Sequence, residues 1–183
     1  MRRYITLLLF IGFAFGQSKM DINNLIDRNG LLYKPNDDKP YTGIVFDLYD
    51  NTQKKFDGRY RKGIKNGKWT WWNEDGGTDS AGSYRNGLMN GKWTYYHKNG
   101  QMYGQGRFKD GERDGLFTYW HENGEKKEEG IYKKGKKYGE WTYWYENGQN
   151  RKITYKDGTP LSKMATITMM VTANVRAQLD PCG

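Results

Sequence analysis

From residue 58 onward the chain alternates apolar and polar residues in short runs. Each run is cut off by glycine, and the pattern returns every 24 residues. Residues 58–81 read GRYRKGIKNGKWTWWNEDGGTDSA and residues 82–105 read GSYRNGLMNGKWTYYHKNGQMYGQ. Residues 106–129 read GRFKDGERDGLFTYWHENGEKKEE and residues 130–153 read GIYKKGKKYGEWTYWYENGQNRKI. Alternation with a period of two marks half-buried strands, and a long fixed period marks a repeat array. A weaker copy precedes the four, with Tyr41, Gly43 and Phe46. A half-copy, TYKDG at 154–158, follows one residue early.

Each unit reads as two strands and two turns. The first strand ends on Tyr60, Tyr84, Phe108 or Tyr132. A turn bracketed by two glycines follows: Gly63 and Gly67, Gly87 and Gly91, Gly111 and Gly115, Gly135 and Gly139. Glycine suits such turns because it accepts positive φ without a Cβ clash. The second strand is KWTWW, KWTYY, LFTYW or EWTYW, rich in rings and threonine as pleated sheets favour. Asp75-Gly76, Asn99-Gly100, Asn123-Gly124 and Asn147-Gly148 then close the unit, a strong hairpin signal. The expected fold is all-β, an elongated, twisted antiparallel meander of 24-residue hairpins.

Side chains alternate across a strand, so the second strands sort their rings by face. Trp69 and Trp71, Trp93 and Tyr95, Phe117 and Tyr119, and Trp141 and Tyr143 share one face, read as the structural one. The other face carries a threonine and one ring per unit: Trp72, Tyr96, Trp120 and Trp144. That second row is the candidate partner-binding surface. Gly58, Gly82, Gly106 and Gly130 lie two residues before the first-strand aromatic, where a neighbouring ring could cross the backbone.

Composition agrees with a core made of rings. Only 36% of the 183 residues are hydrophobic, yet 16% are aromatic, which argues against disorder. The net charge of +9 is spread among acids, as in EKKEEGIYKKGKKYGE, and reads as a solvated surface. Arg2 and Arg3, the apolar run Tyr4–Phe15 and the small residues Ala14 and Gly16 form a signal-peptide pattern over 1–16. This places the body of the protein in the periplasm, outer envelope or extracellular space. Residues 17–40 read as a linker or cap, 41–158 as the array and 159–183 as a tail or cap. The tail holds Cys182, the sole cysteine, so an internal disulfide framework is excluded.

The pattern Y-x-x-G-x-x-x-G-x-W-x-Y-W-x-x-N-G resembles the MORN-repeat family in its bacterial variant, often labelled YwqK-family antitoxins. The resemblance covers residues 41–158. It implies a β-hairpin array acting as a scaffold for protein interaction, dimerisation or membrane association. The antitoxin label implies neutralising a partner toxin, which fits poorly with a signal peptide. GKWTYYHKNGQM at 91–102 also resembles the cell-wall repeats of choline- and glucan-binding surface proteins, in which rings cage an ammonium or stack on sugars. The longer period here fits the first family better.

Catalytic chemistry is sparse. His97 and His121 recur at one repeat position, as strand-end surface residues do, and lack further ligands for a metal. GIKNGKW and GLMNGKW miss the spacing of a phosphate-binding loop and place Trp where Ser or Thr is needed. The expectation is a non-enzymatic protein without metal or cofactor that binds a protein partner in an antitoxin- or immunity-like or envelope-scaffold role. A cell-wall glycan or choline binder and an anionic-lipid binder are the alternatives. Edge strands leave self-association open, and export argues against nucleic acid.

Overall fold

The computed structural model describes residues 19–161. The expected leader at 1–16, Gln17, Ser18 and the segment 162–183 with Cys182 lie outside the described residues. In chain order the strands are β1 (Lys19–Asp21), β2 (Ile26–Arg28), β3 (Leu31–Tyr33), β4 (Gly43–Leu48) and β5 (Lys54–Arg61). Next come β6 (Ile64–Trp72), β7 (Thr78–Arg85), β8 (Leu88–Met89), β9 (Gly91–Tyr96) and β10 (Met102–Lys109). The last five are β11 (Glu112–Trp120), β12 (Lys126–Lys133), β13 (Lys136–Trp144), β14 (Asn150–Lys156) and β15 (Thr159–Pro160). A 3-10 turn at Ile22–Asn24 is the only helical element among the described residues.

From β4 to β15 the sheet is one antiparallel meander in sequence order, with β8 beside β7. β1 runs parallel along the outer edge of β4, and β2 and β3 form a separate hairpin. That hairpin leans on the first repeat, where Leu32 N–H donates to the Gly63 carbonyl at 3.1 Å. Val45 occupies the place of Trp69 one period earlier, so β4 is the second half of a repeat. Four full hairpins follow, and β14 is a closing first half.

The two kinds of turn differ in geometry. Lys62-Gly63, Asn86-Gly87, Asp110-Gly111, Lys134-Gly135 and Asp157-Gly158 all have positive φ at both residues, as the tightest hairpin turn requires. Gly67, Gly91, Gly115 and Gly139, expected in the same turns, lie in the following strands instead. Each keeps a positive φ and sits at a break in register. Across β5 and β6, for example, Gly58 faces Trp69 but Tyr60 faces Lys65, so β6 carries two extra residues. In the second repeat the same break separates β8 from β9.

The Asn-Gly turns are longer. His97 N–H donates to the Gln101 carbonyl and Gly100 N–H to the His97 carbonyl, at 2.8 and 2.9 Å, so only the glycine is left-handed. Each regular repeat then bulges by one residue, as between Tyr119 and Trp120. β14 pairs with β13 without that bulge, which is why the last copy runs one residue early.

The glycine positions in the first strands meet rings. A side chain at Gly58, Gly82, Gly106 or Gly130 would overlap Trp69, Trp93, Phe117 or Trp141, respectively. Each ring lies across the glycine opposite it in its own hairpin. Where the ring is indole, its N–H donates at 3.1 Å to the next carbonyl, that of Arg59, Ser83 or Ile131. The ring also faces the glycine of the following strand: Trp69 faces Gly82, Trp93 faces Gly106 and Phe117 faces Gly130. Rings and glycines therefore alternate across the sheet from Val45, which is 0% exposed, to Ile153 beside Trp141.

Gly130→Ala should cost about 1–3 kcal/mol, the usual penalty of overpacking, read from urea unfolding. An unchanged midpoint would mean that Trp141 does not cover this glycine. Thr52 stands at the left-handed position of the first Asn-Gly-type turn, with φ 66°. A β-branched residue is strained there. Thr52→Gly should therefore stabilise by about 0.5–1 kcal/mol, the left-handed penalty less the entropy glycine loses; a loss of stability would contradict this account.

Candidate functional site: the two faces of the sheet

One face is closed by its own rings. Tyr60, Trp69, Tyr84, Trp93, Phe108, Phe117, Tyr132, Trp141 and Tyr155 touch in series, edge to face, with centroids 4.9–6.4 Å apart. The interplanar angles run from 69° to 89°, the arrangement ring quadrupoles prefer. Trp71, Tyr95, Tyr119 and Tyr143 form a second, half-buried row that packs on the first. The expected structural residues all lie in these two rows.

A feature that sequence reading missed completes this face. Opposite each first-strand aromatic stand, in turn, Lys65, Met89, Arg113 and Lys137. Lys65 Nζ lies 4.4 Å from the Trp69 ring centroid and 5.2 Å from that of Tyr84. Lys137 Nζ lies 3.9 Å from Trp141 and 5.0 Å from Tyr143, and it also pairs with Glu128 at 2.8 Å. Arg113 lies 5.1 Å over Tyr132 and donates to its hydroxyl at 3.1 Å. Burial pulls the Lys65 ammonium below its ordinary value, while the ring faces favour its charge. Met89 fills the same place with a thioether, which also packs well on rings.

The backbone of these four residues stitches the repeats together. Gly87 N–H donates to the Lys65 carbonyl, Gly111 to Met89, Gly135 to Arg113 and Gly158 to Lys137, each at 2.9 Å. The far ends of the hairpins are tied as well. His97 and His121 place Nε2 at 3.1 and 3.3 Å from the carbonyls of Trp120 and Trp144, so Nε2 is the donor. Tyr49 reaches the Trp72 carbonyl at 2.8 Å in the same way. The two histidines are thus inter-repeat ties. Among the described residues no three His, Cys, Asp or Glu side chains gather as a metal would need.

The other face holds Thr70, Thr94, Thr118 and Thr142 together with the expected partner-binding rings. Trp72, Tyr96, Trp120 and Trp144 are half-buried near the longer turns. Lys54 lies 5.2 Å over Trp72 and Lys126 5.4 Å over Trp144. On the other side of the threonines stand Arg59, Lys68, Lys92 and Arg107, all exposed. Three shallow depressions line up there, of about 370, 330 and 410 Å³. Neighbouring depressions share Lys68 and then Lys92, so they form one trough crossing the strands.

The model of the MORN repeat variant matches residues 89–110, 113–134 and 137–157. Three tandem stretches of this chain are therefore similar to MORN-variant repeats. Each match begins on a ring-capping residue, Met89, Arg113 or Lys137, and ends on the first residue of the next tight turn, Asp110, Lys134 or Asp157. No curated protein matches the chain. A crystal structure of a GtfA/B complex bound to UDP and GlcNAc is similar at 13% identity and a TM-score of 0.25, over 86% of this chain. This chain spans 32% of the length of that one.

Burial raises Tyr60, Tyr84, Tyr95, Tyr119, Tyr143 and Tyr155 on the ring face. It pushes Tyr95 up to about 12 and raises Tyr119 as well, with the Tyr132 phenol adding to the latter. The fold therefore holds these phenols protonated. Its stability is intact below pH ~10, the unfolded value, and is lost as pH rises through the folded values. Phenolate absorbance should place the ionisation of Tyr95 at about 12, above the ordinary tyrosine value. Tyr95→Phe should remove one late group and move alkaline unfolding upward. If Tyr95 ionises at the ordinary tyrosine value of about 10, the buried ladder is wrong.

Proposed function

We propose that this chain is a non-catalytic scaffold that holds a partner protein against its threonine face. One observation carries the reading. The ring face is capped by the chain's own Lys65, Met89, Arg113 and Lys137, whereas the threonine face leaves Arg59, Lys68, Lys92 and Arg107 exposed to a partner. The similarity to MORN-variant repeats supports a scaffold role. On the ring face the cages are filled by the chain's own side chains, which weighs against choline binding there. With a leader expected at 1–16 from the sequence, the proposed location is outside the cytoplasm, and the proposed role is antitoxin- or immunity-like or that of an envelope scaffold.

Co-purification from the native envelope fraction tests this. Wild-type protein should recover one specific protein. Lys68→Glu/Lys92→Glu should lose it, and Lys65→Met, which copies the second repeat on the ring face, should keep it. Adhesion to purified cell wall or to anionic vesicles, with no protein recovered, would overturn the reading.

A further inference from the structure

Beside the ring–glycine row, on the opposite face, the cross-strand row runs Arg59, Lys68, Ser83, Lys92, Arg107, Leu116 and Ile131, and on β13 a register break sets Tyr138 opposite Ile131 with Glu140 just past it. Lys68 faces Ser83, Lys92 faces Arg107 and Leu116 faces Ile131. Arg59 and Lys68 flank the Gly58–Trp69 pair. The row thus carries four cations and Ser83 over five neighbouring strands, then two aliphatics, and ends at Tyr138 and Glu140.

The four cations are exposed, and none has a carboxylate, ring or hydrogen-bond partner among the described residues. Lys92 and Arg107 stand directly opposite each other, an arrangement that weakens a sheet. The carboxylates nearby are engaged elsewhere. Asp57 pairs with Lys54 at 3.6 Å, Glu129 with Lys126 at 2.8 Å and Glu140 with Lys152 at 2.7 Å. Asp79 accepts from the Ser80 hydroxyl at 2.8 Å. The row's two aliphatics are also free, with Leu116 56% and Ile131 48% exposed.

We propose that this trough holds an extended acidic peptide segment of the partner protein, its carboxylates on the four cations and an apolar residue on Leu116 and Ile131. The inference rests on the reading of the threonine face as the binding face. A trough takes a single chain where a flat bilayer would span it. Stacked bases need rings, and Trp69, which borders the trough, is buried with its indole on the other face. Sugars find no exposed ring among the residues that line the three depressions, since the exposed Tyr138 beyond Ile131 lies outside them with Lys133 5.0 Å over its ring, and an aliphatic pair favours a peptide side chain. From Arg59 to Ile131 the row crosses six inter-strand gaps, roughly 29 Å at ~4.8 Å each. About nine extended residues span that length. Running across the strands, the peptide meets the side chains of Thr70, Thr94, Gln105 and Thr118 rather than backbone ladders.

The test is fluorescence anisotropy on the full chain with a labelled nine-residue peptide of six glutamates, two leucines and a glycine. A second peptide of the same composition has its leucines placed mid-sequence. The ordered peptide should bind at least ten-fold more tightly than the shuffled one and should weaken as salt rises. Lys68→Glu/Lys92→Glu should lose at least ten-fold, and Leu116→Ser/Ile131→Ser should erase the preference for the ordered peptide. Near-ultraviolet dichroism of the ring ladder reports that each variant is folded. Equal affinity for both peptides, or tighter binding to dextran sulfate or phosphatidylserine vesicles, would overturn the proposal. If the peptide fails but Lys68→Glu/Lys92→Glu still abolishes co-purification, the segment chemistry is wrong and the scaffold reading stands. If that variant leaves co-purification intact as well, both fall.

Discussion

Large rings crossing bare backbone set the terms for the whole structure. Among the described residues no second layer runs the length of the long sheet's apolar face, so the sheet buries that face against itself. It does so by alternating a ring with a glycine along the cross-strand row, from Val45 to Ile153. The glycine removes the side chain that would hold the ring away, and the indole N–H finds the neighbouring carbonyl at 3.1 Å. Trp141 reaches 0% exposure in this way with no helix or second sheet packed on it among the described residues. The flanking tyrosines then meet the ring edges, which turns separate hairpins into one aromatic series. Each such contact adds about 0.5–1.5 kcal/mol beyond area, and neighbouring repeats become coupled, as in other solenoids.

The rest of the repeat follows from keeping that row in register. The tight turns carry two left-handed residues each, and their glycine N–H groups bind the preceding repeat. The two-residue break at Gly67, Gly91, Gly115 and Gly139 lets the strand re-aim between its capping residue and its ring. The histidines and Tyr49 hold the far ends. Even the aberrant last copy obeys the rule. With one bulge residue missing, β14 places Tyr155 rather than Lys156 beside Trp141.

Much of this was legible in the sequence, because strand period, turn residues and ring placement are local signals. The two faces of KWTWW and its copies, and the room made by Gly58, Gly82, Gly106 and Gly130, follow from alternation alone. The capping row did not, because a lysine after a turn glycine reads as solvated charge until its cross-strand partner is known. Lys137 touching Trp141 at 3.9 Å depends on a register break that no residue pattern announces. Which of the two glycines in each bracket turns and which bulges was equally hidden, since both need positive φ.

The basic trough was hidden for a different reason. Along the chain, lysines and acids are interleaved, and the net charge seems evenly spread. Neighbours in the cross-strand row, however, are alternately nine and fifteen residues apart, as from Arg59 to Lys68 and from Lys68 to Ser83. A mixture along the sequence can therefore become a separation across the sheet. Here it brings four cations together without an acid between them, while Glu129 and Glu140 gather toward the other end. Folding gains nothing from that sorting, because like charges on adjacent strands repel. The ring face has already met the need for a core and has spent its cations on rings. The opposite face is then free to carry a charge order that costs the fold something, and such an order is informative about a partner in a way that the total charge is not.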